Sequence, residues 1–446
     1  RMDLLIESGG SLQGEIVLPG DKSISHRAIM CASLASGTSV IKGFLESQDC
    51  LATMRSFQDM GIDIKRKGNL LKVKGKGLYG LKNPQKTLNV GNSGTLMRLT
   101  AGILAGQDFD SVLTGDQSVL KRPMKRITEP LNMMGFSVTP QKDGTPPLEI
   151  FKVNQPTSIN YEMPVASAQV KSCLMFAALY ANGTSTIHEN SQTRDHTERM
   201  FKKFGIPVDV IQSKIIKTIS ITPPKEIKPC NIEICSDFSS AAFFILAAII
   251  TPNSHLVIKN VGINNTRIGF LIALREMGGY VDIQNISGGD EPTADIEIKS
   301  SKLKGINLEP KLVSNIIDEL PVLFIAAALA EGKTRIKGVE ELRIKESDRL
   351  ESMAKALELF GVPFTLSDDA IDIIGLNQPI FDHNFGQPFE DAEIDSFGDH
   401  RVAMACAIGA LRSKGSCRIR NCANVATSFP SFLEISNQLG LSIRKV

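Results

Sequence analysis

The feature that most constrains this chain is an internal repeat. A short polar cluster followed by a small-residue apolar run occurs six times, as DKSISHRAIMCASLASGTSVIKG, GNSGTLMRLTAGILAGQ, VASAQVKSCLMFAALYANGTSTIHE, SDFSSAAFFILAAIITPNSHLVIKN, IIDELPVLFIAAALAEGKTRIKG and GDHRVAMACAIGALRSKGSCRIRN. Anchored at Lys22, Ser93, Ser167, Ser239, Asp318 and His400, successive copies lie 71 to 82 residues apart. A steady period of this kind means one supersecondary unit used repeatedly. In each copy a glycine, or Asn253 in the fourth, follows the anchor by 13 to 16 residues. That distance fits one helix of about four turns closed by a C-cap residue. A β-rich run such as TSVIKG or HLVIKN comes next and reads as a strand.

The repeated helices are Ala-rich and apolar around most of their circumference, so they belong inside a domain. Six such units in 446 residues predict about two domains of three units each. The longest apolar runs, AAFFILAAII (241–250) and PVLFIAAALA (321–330), have about half the length a membrane span needs and read as buried helices. With 50 basic and 48 acidic residues the net charge is +2, so no global field attracts nucleic acid or an anionic membrane. Any anion site is therefore local. The opening RMDLLIESGG carries no apolar leader core, and Arg1 ahead of Met2 reads as an added residue. The eight cysteines show neither pairing logic nor a zinc pattern, which points to reduced thiols in the cytoplasm and no metal.

The helix starts are polar in a way that buried helices rarely tolerate. Lys22-Ser23, Asn92-Ser93-Gly94-Thr95, Ser167-Ala168-Gln169, Asp318 and Asp399-His400-Arg401 would leave donors unsatisfied unless something polar sits among them. Converging helix N-termini make an anion site. Lys22 and Arg27 oppose the positive end of a helix dipole, and a bound anion between them and the dipole would remove that conflict. For the second and fourth copies a purely structural reading of the repeat stands level with the functional one. Two further stretches are rich in charge: ELRIKESDR (341–349) and GDQSVLKRPMKR (115–126). Alone, each reads as a solvated loop or helix face. Together, Lys22, Arg27, Arg122, Lys345, Arg349 and Arg401 suit one or two small polyanions. Asp318 and Glu346 are candidates for proton transfer, and Asp318 reads equally well as a helix N-cap. No phosphate-binding P-loop is present. His188, His255 and His383 read as strand or loop residues without partners.

LPGDKSISHRA, GNSGTLMRLTAG, GDQSVLKRPM, RDHTERM, ELRIKESDR and GDHRVAMA resemble, in order and across nearly the whole chain, the 5-enolpyruvylshikimate-3-phosphate synthases. SAQVKS and RDHTERM are similar to the second bacterial subclass rather than the enteric one. The resemblance implies an α/β fold of two similar domains, each of three βαβαββ units with buried parallel helices. It places residues 21–236 in the N-terminal domain, residues 1–20 with 237–446 in the C-terminal one, and the active site in the cleft between. The implied reaction moves the enolpyruvyl group of phosphoenolpyruvate to the 5-hydroxyl of shikimate 3-phosphate and releases phosphate. This is a step toward chorismate and the aromatic amino acids.

Carried over by position, Lys22, Ser23, Arg27, Ser167, Ala168, Gln169, Asp318 and Lys345 would hold shikimate 3-phosphate. Lys22, Gly94, Arg122, Gln169, Arg349 and Arg401 would hold phosphoenolpyruvate. Asp318 would accept the hydroxyl proton, Glu346 would protonate the methylene carbon, and Lys22 would assist. Neither cofactor nor metal is implied; the partners are the two small substrates, and a cytoplasmic monomer that closes on its substrates and is a glyphosate target is expected. Ala168 stands where a second serine is found in better-known members, Glu341 where an asparagine often is, and Thr427 in ATSFP where a lysine is. The sister family that uses UDP-N-acetylglucosamine has Lys-Asn in place of Lys22-Ser23 and a reactive loop cysteine, and no cysteine lies between Cys50 and Cys173 here. A non-catalytic phospho-ligand binder would lack the pair Asp318 and Glu346.

Overall fold

The computed structural model describes residues 1–376 and 387–446. Its six repeated helices are α1 (Lys22–Leu34), α2 (Gly94–Ala105), α3 (Ala168–Ala178), α4 (Phe238–Ile250), α5 (Leu320–Ala328) and α6 (His400–Ala410). Five begin alike. Asp21, Ser93, Ser167, Asp237 and Asp399 take extended backbone, and each side chain accepts from an amide two or three residues on. The helices end sooner than the glycine spacing predicts. Only Gly106 is a C-cap, whereas Asn253 (φ 56°) and Gly332 (φ 90°) shape the turn beyond. Tightened backbone turns close α3, α5 and α6, as where the Leu179 amide donates to the Phe176 carbonyl, whereas α1 and α4 end on regular bonds to the Cys31 and Ala247 carbonyls.

Each helix leads into a strand, and the third copy shows the unit whole. Asn160–Glu162 lies parallel to Ser185–Glu189, which pairs antiparallel with Lys217–Ile221, itself antiparallel to Val208–Gln212. With α3 and the helix His196–Lys203 this is a βαβαββ unit. Other copies borrow strands from afar. Ile232–Glu233 supplies the parallel edge of the first copy's sheet, Gln13–Val17 that of the fourth, and Leu4–Glu7 sits inside the sixth. The fold is α/β, and the chain divides into two compact units, Gly20–Ile234 and Arg1–Pro19 with Cys235–Val446.

Within Gly20–Ile234, α2 and α3 meet backbone to backbone. A Cβ on Gly102 would fall 2.2 Å from the Cys173 carbonyl oxygen, so only glycine allows this approach. The contact sets the first turns of the two helices side by side. In the other unit every residue of α5 is buried, as are twelve of the thirteen in α4. No helix of the described residues is long and apolar enough to cross a membrane.

Two expectations about histidines change. His188 is held by Thr218 and Asn160, and His255 Nε2 lies 3.1 Å from Glu297. Strand pairing brings these partners in from 28 to 42 residues away, beyond the reach of local pattern. His383 lies outside the described residues.

Candidate active site

In the unit Gly20–Ile234, α1 carries Lys22, Ser23 and Arg27. Lys22 Nζ stands 3.3 Å from Asp49, a carboxylate that the motifs did not reveal. The negative charge that makes Lys22 tolerable at a helix start is thus partly the chain's own, with Asp21 capping Ile24. His26 is fully buried and bonded to Thr53. Burial, then Lys22 and Arg27, hold its imidazole well below its ordinary range, so it is neutral.

Arg27 is buried, and among the described residues no carboxylate lies within ion-pairing distance of it. Its Nε donates to Thr197 Oγ1 at 2.7 Å, Nη2 to Ser172 Oγ at 2.9 Å and Nη1 to the Ser23 carbonyl at 3.0 Å. Burial lowers its pKa to about 10, which leaves it charged at neutral pH. A guanidinium fixed by hydroxyls and a carbonyl keeps its attraction for an incoming anion.

Nearby, Gln169 ties the starts of α2 and α3 together. Its Nε2 donates to Thr95 Oγ1 at 2.9 Å, and its Oε1 accepts from Arg98. Arg98, four residues past Gly94 and so on the same helix face, is a further cation that sequence reasoning missed. Gly94 opens α2 with Arg122 against it, while Ser167 caps α3 at Val170 and Ala168 is its first residue. Of the cations in 115–126, Lys121, Lys125 and Arg126 are exposed and Arg122 is half-buried. The stretch is a 3-10 turn (Val119–Lys121) and a helix start anchored by the buried Val119 and Met124, with its cations other than Arg122 in solvent.

In the unit containing Cys235–Val446 the hub is Arg349. It is 1% exposed, its Nε donates to Asp399 at 2.8 Å, its Nη2 pairs with Glu346, and its Nη1 lies 3.7 Å from Asp318. Burial works against its charge, but Glu346, Asp399 and Asp318 outweigh burial and raise its pKa. Arg401 Nη2 stands 3.9 Å from Asp318 on the other oxygen. Asp399 caps α6 at Arg401 and Val402 with one oxygen and takes Arg349 and Ser347 with the other. Lys345 is half-buried. Thr427, in place of a lysine, turns its hydroxyl back to the Ala423 carbonyl.

The N-cap reading of Asp318 is corrected. The chain is already helical over Pro310–Ile316, passes through a 3-10 turn at Ile317–Glu319 and continues as α5, with no side-chain cap. Pro321 is the cause: it has no amide for the Ile317 carbonyl, and its ring would press on that carbonyl in a regular helix. The broken turn leaves Asp318 facing Arg349 and Arg401.

These two groups of residues can be set against known proteins. A family model described as EPSP synthase (3-phosphoshikimate 1-carboxyvinyltransferase) matches residues 6–435. The chain belongs to this family. Among similar EPSP synthase relatives, a 3-phosphoshikimate 1-carboxyvinyltransferase of Hydrogenovibrio crunogenus is 47% identical over 99% of this chain and 98% of its own. One of Legionella pneumophila is 49% identical, with 98% of each chain covered. The solved EPSP synthase of Acinetobacter baumannii superposes with a TM-score of 0.90 at 44% identity, over 100% of both chains. The enolpyruvyl transferase NikO from Streptomyces tendae, at 18% identity and a TM-score of 0.79, shares the fold.

Proposed function

We infer that this chain transfers the enolpyruvyl group of phosphoenolpyruvate to the 5-hydroxyl of shikimate 3-phosphate, and that residues of both compact units serve that one reaction. The observation that carries the catalytic assignment is Arg349, which joins Asp318 and Glu346 through one guanidinium. Two carboxylates on one cation are fixed relative to each other and can divide acid and base work. Asp318, between Arg349 and Arg401, takes the proton of the 5-hydroxyl as its oxygen bonds to C2 of phosphoenolpyruvate. Glu346 gives a proton to the C3 methylene, so a tetrahedral ketal forms. The C–O bond to phosphate then breaks, the departing phosphate takes the proton that Asp318 held, Glu346 recovers a proton from the methyl group, and the enol ether and inorganic phosphate leave.

Both substrates are anions, and bringing them together costs Coulomb repulsion that fixed cations offset. Lys22, Ser23, Arg27, Ser167, Ala168, Gln169, Asp318 and Lys345 hold shikimate 3-phosphate in this reading. Lys22, Gly94, Arg122, Gln169, Arg349 and Arg401 hold phosphoenolpyruvate. Arg27 supports it most directly, being charged, buried and bonded, among the described residues, to neutral oxygens. The same reading includes a cytoplasmic monomer, in keeping with the buried thiols Cys31, Cys50, Cys173, Cys406, Cys417 and Cys422. The test is phosphate release from phosphoenolpyruvate with shikimate 3-phosphate and, separately, with UDP-N-acetylglucosamine. Turnover with the second acceptor alone overturns the reading, and sedimentation of the purified chain tests the monomer.

A further inference from the structure

The fourth repeat's polar helix start has no place in the assignments above, yet a buried hydrogen bond ties it to the fifth repeat. Ser239, in the first turn of α4, donates from Oγ to Glu319 Oε1 at 2.9 Å. Arg267 Nη2 holds Ser239 Oγ and Asp237 Oδ1, each at 3.0 Å. All four side chains are buried, with Glu319 only 2% exposed. Glu319 is also the chain neighbour of Asp318, and both sit in the 3-10 turn Ile317–Glu319. Successive residues of such a turn point about 120° apart. The rotation that sends Glu319 to Ser239 therefore also sets the direction of Asp318, which meets Arg349 Nη1 at 3.7 Å and Arg401 Nη2 at 3.9 Å.

We propose that Glu319, held by Ser239, which Arg267 holds in turn, is a positioning residue that aims Asp318 for proton abstraction. The inference rests on the reading of Asp318 as the base. Pro321 removes the regular helical hydrogen bond that would otherwise fix this turn, so the buried contact to α4 replaces it. Ser239 thus has a role in the reaction without touching a substrate.

The experiment uses the full chain and steady-state phosphate release with both substrates, on Glu319→Ala, Ser239→Ala, the double variant, Glu319→Gln and Asp318→Asn. Loss of aim by a fraction of an ångström to about 1 Å lowers kcat roughly ten- to a hundredfold in Glu319→Ala and Ser239→Ala, with KM values moving by less than about threefold. Because the two residues act through one contact, the double variant is no slower than the slower single. Glu319→Gln keeps the acceptor for Ser239 and recovers most of kcat, which a general loss of stability would not explain. Ser239→Ala keeps the measurement possible if Glu319→Ala does not fold. Wild-type kcat in folded Ser239→Ala, or single losses that multiply in the double variant, overturns the proposal while leaving Asp318 as base. Wild-type turnover in Asp318→Asn overturns the base assignment, and the proposal falls with it.

Discussion

Arg122 and Arg98 occupy the space that a side chain at Gly94 would claim: an ideal Cβ there lies 2.2 Å from Arg122 Nη1 and 3.0 Å from Arg98 Nη1. The crowding atoms are the ends of flexible side chains, so Gly94→Ala folds and moves Arg122 rather than the backbone. Alanine in a helix's first turn is no worse than glycine for the helix itself. The expected outcome is an unchanged or slightly higher melting temperature with a raised KM for phosphoenolpyruvate. Glyphosate, longer than phosphoenolpyruvate, loses more, by about 1–3 kcal/mol as overpacking commonly costs. Inhibition titrations on both proteins check this, and an unchanged inhibition constant in a stable Gly94→Ala protein removes Gly94 from the phosphoenolpyruvate site.

Asp318→Asn and Glu346→Gln each keep the size and shape of the side chain and remove its proton chemistry. Turnover falls by roughly two to four orders of magnitude in each, with shikimate 3-phosphate still bound. Rapid-quench measurement tests the step at which each acts, because the ketal needs both the proton that Asp318 takes and the one that Glu346 gives. Asp318→Asn makes no ketal at an appreciable rate, and a ketal accumulating at wild-type rate would place its role in the second half of the reaction.

Arg27 depends on hydroxyls for its orientation, and Thr197 holds Nε while also bonding Ser172 at 2.6 Å. Thr197→Val keeps the shape and removes both bonds. Calorimetric titration should show shikimate 3-phosphate binding weakened by about 1–3 kcal/mol, the usual effect of stranding a buried donor. Phosphoenolpyruvate KM should change little. Equal weakening toward both substrates would mean that Thr197 supports the unit at large rather than Arg27.

The Ala-rich helices and their polar starts were legible because each is written within about fifteen residues, and the period because those local patterns recur. The pairings that arm the site are not local. Asp399 is 50 residues from Arg349, and Asp49 is 27 from Lys22, so the sequence shows the charges but not which of them meet. Lys171, inside the apolar VKSCLMF, is fully buried between Glu189 and Glu198 at 3.1 Å each. No periodicity announces a buried charge whose partners arrive with other elements. Asp318 misled for a different reason. A carboxylate before an apolar run reads as a cap, and only Pro321 three residues later hints that the helix has begun upstream and breaks there.

The pair Arg349 and Asp399 sets the last expectation, a dependence of stability on pH. Burial alone would raise the Asp399 carboxyl, but Arg349 and then His400 outweigh it, and the group is held below the ordinary aspartate range when folded. In the unfolded chain it titrates near the usual value of about 3.9. A group whose folded pKa is depressed contributes stability that is present above that value and is lost as pH falls through it toward the folded pKa. Asp399→Asn keeps an oxygen to cap α6 and removes the charge, leaving Arg349 with Glu346 and Asp318. Removing one partner of a buried pair costs about 3–5 kcal/mol, so the variant is the less stable protein at neutral pH. As pH falls below about 4 the wild type loses the Asp399 contribution and the variant has none to lose, so the gap between them narrows. Urea unfolding of both proteins at pH 7 and at the lowest pH where each still folds measures that gap. A gap that stays constant across the range would mean that Asp399 acts through its helix cap alone, and that its charge on Arg349 adds nothing to the fold.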